Sequence, residues 1–484
     1  MPEHGLDPDG ELRALAGDCV HCGFCLPACP TYQLWGEEMD SPRGRIHLIT
    51  QILDGADGTE AAAGHLDRCL GCMACVPACP SGVRYDRLIE AAREWAQEPV
   101  QADQPAPSAD VPTRVAGEPA PGRAAPRALP ARSLRDRAVR RAIFETFPYP
   151  HRLRLLMAPL RAAQRTGVDR LISGSDLAAR LAPELTAALQ VAPARRPAAG
   201  GARARAGIGG RRREQGRQAA RLPARIPARG SRRAVVGMLT GCVQQVFFPP
   251  VNAATARVLA AEGCDVIVPP DQGCCGALSL HGGRRTEAAA FARRTIETFE
   301  RAGVDALVVN AAGCGSALKE YGQLLAGDPS WADRAAALSA KVLDFSEFLA
   351  ELGPVATRHP LPIEAVYQDA CHLGHAQGIT RQPRELLRAI PDLGVAEIGD
   401  GGTCCGSAGI YNLVQPEAAA ELGARKARAV QATGARLLVS ANPGCTMQIA
   451  SALGAQGTPM PVAHIAEVLD ASIRGLPASA LLAR

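Results

Sequence analysis

Two twelve-residue segments, CVHCGFCLPACP from Cys19 and CLGCMACVPACP from Cys69, each place four thiols in the spacing C-x2-C-x2-C-x3-C-P. Three thiolates three residues apart wrap three irons of a 4Fe-4S cubane, and the fourth, carried away by the following proline, reaches a second cubane. Crossed ligation then assigns Cys19, Cys22, Cys25 and Cys79 to one 4Fe-4S cluster and Cys69, Cys72, Cys75 and Cys29 to the other. Paired CxxC motifs also build tetrahedral zinc sites, yet zinc has no need of a third cysteine at this spacing. His21 and His65 lie close by and read as solvated or packing residues, because four cysteines per cluster already complete the ligand count.

A second constellation occurs in two copies. Cys242, the pair Cys274 and Cys275 followed by Gly276, and Cys314 recur as Cys371, the pair Cys404 and Cys405 followed by Gly406, and Cys445, at offsets of 129 to 131 residues. Near-constant offsets mark an internal repeat. A lone free cysteine is often just a small buried hydrophobe, but the same quartet twice points to chemistry, with an additional four-ligand cluster and redox-active thiols both open. Cys264 stands outside the pattern and reads as structural, while His281, His372 and His375 stand near it, as turn residues or as a proton-transfer or quinone site.

Stepping outward to the elements, each repeat alternates short apolar runs with helix-like segments: AVVGML, DVIV and DALVV in the first, AVYQD, VAEI and RLLVSAN in the second. That alternation predicts a small α/β unit with a mainly parallel sheet. Cys242, Cys314, Cys371 and Cys445 each follow such a run in a glycine-containing turn, and open α/β sheets bind ligands at strand ends. Between the N-terminal motifs, PRGRIHLITQIL carries Ile46, Ile49, Ile52 and Leu53 on one helical face.

The expected fold class is therefore multidomain: an α-helical ferredoxin-like N-terminal domain followed by two repeated α/β modules. The expected boundaries are a two-cluster domain over 1–98, a linker over 99–132, a segment of two or three short helices over 133–190, an Arg-rich linker over 191–233, and modules over 234–355 and 356–484.

At 484 residues, 47% hydrophobic and 21% charged, the chain is long enough for several cores and is not wholesale disordered. Its formal charge of +5 hides an asymmetry, since residues 195–233 hold 13 Arg against one Glu and the remainder is acidic. Duplex nucleic-acid binding across a folded face is poorly supported by such a distribution. The first twenty residues lack a positive n-region and an apolar h-region, no run approaches a spanning helix, and the 17 cysteines fall in CxxC clusters, so reduced thiols in the cytoplasm are expected. GIGGRR near Gly207 lies in the Arg-rich stretch with no strand before it and is no dinucleotide fingerprint.

Two ferredoxin motifs followed by two CCG modules resemble the glycolate oxidase iron–sulfur subunits, over residues 18–95 and 233–469. CVHCGFCLPACPTYQLWGEEMDSPRGRIHLI, HLDRCLGCMACVPACPSGVRYDRL, NAATARVLAAEGCDV, AAGCGSALKEYGQLL and TCCGSAG carry the resemblance. Broader relatives are the iron–sulfur subunits of anaerobic glycerol-3-phosphate dehydrogenase, of lactate-utilisation complexes and of heterodisulfide reductase.

The resemblance implies an electron-transfer subunit of a glycolate oxidase with an unspecified acceptor. A partner subunit carrying FAD would oxidise glycolate, and D-lactate as well, a further flavoprotein-like subunit would complete the complex, and a quinone or other acceptor would take the electrons. The isolated chain would not act on glycolate, and it would stay cytoplasmic or peripheral on the inner membrane. In heterodisulfide reductase each module has one more cysteine three positions after the last; here those positions are Ala317 and Gln448, which speaks against a five-thiolate cluster. Competing readings are a disulfide or quinone reductase acting at the CCG modules and a zinc scaffold whose basic linker contacts nucleic acid.

Overall fold

The structure, a computed structural model, describes residues 10–55, 60–97, 134–173, 182–192, 222–400 and 402–483. The expected linker over 99–132 and most of the Arg-rich stretch lie outside these residues. The chain divides into two compact units, Met1–Arg137 with His281–Arg284, and Ala138–Leu280 with Arg285–Arg484.

The N-terminal unit is helical. Pro30–Trp35 begins directly after Cys29, with proline in the first turn, where its missing N–H costs nothing. Pro42–Leu53 starts in the same way, with the Ser41 hydroxyl accepting from Gly44 N at 3.0 Å as its N-cap. Ile46 and Ile49 of this helix, Leu66 of Glu60–Asp67, and Leu88, Ile89 and Ala92 of Tyr85–Gln97 form one core that also takes in Cys69 and Cys75. The cysteine loops are thus held between helices that share a core.

The larger unit contains two sheets of the same topology. The first comprises β1 (Arg225–Ile226), β2 (Ala234–Leu239), β3 (Cys264–Ile267), β4 (Ala306–Val309) and β5 (Val342–Asp344), in the order β1-β3-β2-β4-β5. The second comprises β6 (Ile363–Gln368), β7 (Leu393–Glu397), β8 (Leu437–Ser440) and β9 (Val462–His464), in the order β7-β6-β8-β9. All pairings are parallel except β1 with β3. Near-continuous apolar runs such as ALVV and LLVS suit parallel strands covered on both faces. In both sheets the order reverses between the first and third strands of the repeat, which is where open α/β sheets bind ligands.

One core runs through both modules, joining Val236, Val308 and Leu259 of the first to Val366, Leu438 and Val468 of the second. Helix Pro249–Ala261 packs on helix Ile465–Ile473, and Arg257 pairs with Asp470 at 2.6 Å.

Three expectations change. The Arg-rich linker does not reach 233: Arg225–Ile226 adds an edge strand to β3, because Asp265 takes Arg225 at 2.6 Å and Ala228 N at 2.9 Å while Ile226 packs on the core. The 133–190 segment holds four described helices, Leu134–Phe144, Pro150–Thr166, Val168–Ser173 and Pro183–Val191, rather than two or three. Finally, β5 and β9 escaped the sequence reading, since three-residue runs leading straight into helices show no alternation of their own.

Candidate iron–sulfur sites

In the N-terminal unit the eight motif cysteines line two cavities. One, of about 410 Å³ including its open mouth, is lined by Cys19, Cys22, Cys25 and Cys79 and also by Cys75, which the two cavities share. The other, of about 300 Å³, is lined by Cys29, Cys69, Cys72 and Cys75. Each loop wraps its cavity by entering the left-handed region at the second and fourth residues after its first cysteine: His21 (φ 54°) and Gly23 (φ 85°) in one, Gly71 (φ 63°) and Met73 (φ 59°) in the other. Glycine accepts that conformation freely and the two non-glycine residues do so under strain.

The second cavity is the more enclosed and the more strongly polarised. Arg45, 1% exposed, donates to the carbonyl of His65 at 2.7 Å, to the Thr31 hydroxyl at 3.2 Å and to Asp40 at 3.3 Å. Asp40 also receives His65 Nδ1 at 2.9 Å and Arg68 at 3.0 Å, so this buried carboxylate is fully engaged. Burial alone would raise the Cys69 thiol, but the charges of Arg45 and Arg93, the Tyr85 hydroxyl and the Gly71 N–H together bring it below its ordinary value. Tyr85 Oη and Gly71 N donate to its Sγ at 3.5 and 3.4 Å. Cys75 goes the other way, pushed well up by burial and by the thiols around it. His65 is therefore a structural partner of Asp40, and His21 stands exposed with its carbonyl accepting from Arg43 at 3.0 Å.

Each α/β module gathers its own quartet. Cys274 is within hydrogen-bonding reach of Cys242 and Cys275, and Cys275 of Cys314. Cys404 is likewise in reach of Cys371 and Cys405, and Cys405 of Cys445. Neighbouring thiols and burial push Cys274, Cys314, Cys404 and Cys445 well above the ordinary thiol value.

The expected glycine turns are helix starts: Cys242 caps Val243–Phe247, Cys371 opens Cys371–Gly374, and Cys314 and Cys445 sit in the first turns of Ala312–Lys319 and Pro443–Ala455. Gly276 (φ 82°) and Gly406 (φ 87°) turn the chain sharply after each pair, and a Cβ on Gly406 would meet the Ala419 carbonyl at 2.7 Å. Helix Ala312–Lys319 packs on Cys371–Gly374, and Gln377 Nε2 donates to the carbonyls of Ala312 and His372 at 3.1 and 2.9 Å, so the two quartets adjoin.

At the two positions where a fifth cysteine would stand, Ala317 is buried and Gln448 is committed elsewhere, donating to the Ala419 carbonyl at 2.9 Å and accepting from Asn412 at 3.2 Å. His375 Nε2 lies 3.2 Å from the Gly402 carbonyl, His372 lies against Gly313, and His281 ends helix Ala277–His281. Cys264 begins β3 in the core, where burial raises its thiol to about 11.

The donor sets fit iron–sulfur chemistry: every set is all-thiol and four in number. Among the described residues no group of three or more His, Cys, Asp or Glu is arranged to hold a single metal ion.

Sequence reasoning missed Arg45 and Tyr85, and it expected helices over 133–190 without saying what they cover. Leu153 and Met157 pack on Val246, Ile143 and Phe144 on Ile410 and Leu413, and Tyr149 on Phe291 beside Cys242 and Cys274. The only available signal was the amphipathic spacing of 133–190, which says that a helix packs but not on what.

The first part of the chain, residues 16–83, matches the 4Fe-4S dicluster domain, residues 236–319 and 365–450 match the cysteine-rich domain, and residues 135–192 match the linker region of the glycolate oxidase iron-sulfur subunit. The chain is 35% identical to the probable glycolate oxidase iron-sulfur subunit of Bacillus subtilis, covering 95% of this chain and 94% of that one. It is 33% identical to the glycolate oxidase iron-sulfur subunit of Escherichia coli, over 92% of each. Lactate utilization protein A of Bacillus subtilis is 30% identical over 49% of this chain and 98% of its own length. With two relatives matched nearly end to end and all three family regions in order, this chain belongs to the glycolate oxidase iron–sulfur subunit family.

Proposed function

We propose that this chain is the electron-transfer subunit of a glycolate oxidase complex, taking electrons from a flavin subunit that oxidises glycolate to glyoxylate and passing them towards a quinone or another acceptor. The observation that carries the reading is the grouping of eight motif thiols around two adjoining cavities in a member of this family. Cys19, Cys22, Cys25 and Cys79 would hold one 4Fe-4S cluster and Cys69, Cys72, Cys75 and Cys29 the other. Cys242, Cys274, Cys275 and Cys314, and Cys371, Cys404, Cys405 and Cys445, would hold two more.

Bound there, the clusters supply one-electron redox chemistry and no hydride site. The chain's own residues do the rest. Arg45 places a buried positive charge beside Cys29 and Cys69, and Tyr85 and Gly71 donate hydrogen bonds to sulfur, both of which favour an added electron. Burial keeps water from Cys29, Cys69, Cys72 and Cys75, while Cys22 stays exposed. Oxidising a 2-hydroxy acid removes a hydride equivalent, which a flavin accepts in one step, so the carbon chemistry belongs to the partner. The relative named for lactate utilization supports lactate as a second substrate of the complex.

The test is kinetic. The purified chain alone should not oxidise glycolate or D-lactate with an artificial acceptor, and adding the flavin subunit should permit it. In the complex, Cys22→Ser or Cys72→Ser should slow quinone reduction while direct flavin-to-dye reduction persists. Glycolate oxidation by the flavin-free chain would overturn the reading.

A further inference from the structure

The two CCG quartets match in their thiols and differ in what stands behind them. In each module the helix that follows the cysteine pair closes on its glycine: Ala288 and Phe291 of Arg285–Ala302 approach Gly276, and Ala419 and Leu422 of Pro416–Gln431 approach Gly406. These contacts put the two helices in register at an offset of 131 residues. One turn beyond Phe291 and Leu422, on the same face, the register pairs Thr295 with Lys426.

In the first module that position is neutral. Thr295 Oγ1 donates to the Phe291 carbonyl at 2.9 Å, and the Tyr321 hydroxyl donates to the Cys275 carbonyl at 2.6 Å. The second module has neither group, since Tyr321 corresponds to Ala452. Instead Lys426, 2% exposed, is ion-paired with Asp400, which is 18% exposed. The ammonium is thus the buried end of the pair, on the helix face that closes on Gly406, the residue after Cys405. It is one of 3 lysines in a chain with 50 arginines, so a compact, strongly hydrated cation has been placed here where the chain elsewhere uses the guanidinium.

We propose that Lys426 tunes the second module electrostatically, making the site of Cys371, Cys404, Cys405 and Cys445 more easily reduced than that of Cys242, Cys274, Cys275 and Cys314, so that electrons crossing the modules settle there. Adding an electron to a buried group adds negative charge in a medium of low dielectric, and a fixed cation stabilises that state more than the oxidised one. The neutral Thr295–Tyr321 pair offers no such term. The inference rests on the reading that both quartets hold clusters.

The full chain, purified anaerobically, should contain about sixteen irons if four cubanes are present. EPR-monitored redox titration then gives midpoints, with the second-module signal identified as the one lost in Cys445→Ser. Lys426→Met should lower that midpoint by about tenfold in the reduction equilibrium, roughly 59 mV for one electron. Asp400→Asn keeps the cation, removes its counter-charge and should raise the same midpoint. Opposite shifts from two neighbouring changes are not what general damage produces. A full iron content with an unmoved midpoint, or with both variants shifting alike, overturns the inference and leaves the cluster reading intact; a wild-type content of about eight irons overturns both.

Discussion

The N-terminal sites and the CCG sites both collect thiols, but they do so by different means. At the N-terminal motifs three of every four ligands come from one loop, whose shape is set by two left-handed residues and by the helix that starts after the fourth cysteine. In the modules the four cysteines come from three helix starts and turns beyond separate parallel strands, brought together only when the sheet has formed. A loop site is encoded locally and can be read as a string. A switch-point site is encoded by topology and can be read only as a repeat.

The comparison breaks most sharply at the ligands. Cys29→Ser should empty the cavity of Cys69, Cys72 and Cys75 rather than that of the loop in which it sits, and Cys79→Ser should do the converse. Each should remove about four irons and one set of EPR features; loss of the same-loop cluster would show that ligation is not crossed.

Acid should act next, at a histidine between the modules. His464 caps helix Ile465–Ile473, with Nδ1 accepting from Ala466 N at 3.0 Å and Nε2 donating to the Asn310 carbonyl at 2.9 Å across the two modules. The bond accepted at Nδ1 needs the neutral ring, and burial lowers its pKa from 6.5 to about 4. The folded state then binds fewer protons than the unfolded one between those values, so stability present above pH 6.5 is lost as pH falls towards 4, by up to about 3 kcal/mol. Asp344, raised by burial from 3.8 to about 6, works in the opposite direction over much of that range, so the reading is the difference: urea midpoints should fall relative to those of His464→Asn as pH drops.

The glycines after the cysteine pairs grade the two modules against each other. An added Cβ meets backbone at 2.7 Å at Gly406 and at 3.1 Å at Gly276, both at positive φ. Each alanine variant should cost about 1–3 kcal/mol, with Gly406→Ala the costlier in thermal or urea unfolding. Equal costs would show that the two turns are packed alike. The smallest effect is expected at His21, exposed at φ 54°. His21→Gly should gain up to about 1 kcal/mol by relieving the left-handed residue and leave iron content unchanged; lost iron would make His21 more than a loop residue.

How much of this was legible follows the same division. The cysteine spacing grouped the N-terminal thiols, and the offsets of 129 to 131 residues grouped the modular ones, because both are patterns in sequence distance. Parallel strands such as ALVV and LLVS were visible as apolar runs bounded by turns. Arg45 was not visible, because nothing in PRGRIHLITQIL distinguishes an arginine buried among thiols from a solvated one on the polar face. Lys426 was hidden similarly: its meaning lies in the partner it lacks in the first repeat, which needs the structural register of the two helices. The edge strand Arg225–Ile226 was masked by the Arg-rich composition around it, and its placement depends on Asp265, forty residues away.

The central claim, that this chain carries electrons and leaves the carbon chemistry to a partner, is tested most directly by following its iron–sulfur absorbance anaerobically on addition of glycolate. The account predicts no change with the chain alone and bleaching once the flavin subunit is present. Bleaching by glycolate without the flavin subunit, or none in the presence of a flavin subunit that is itself reduced by glycolate, would contradict it.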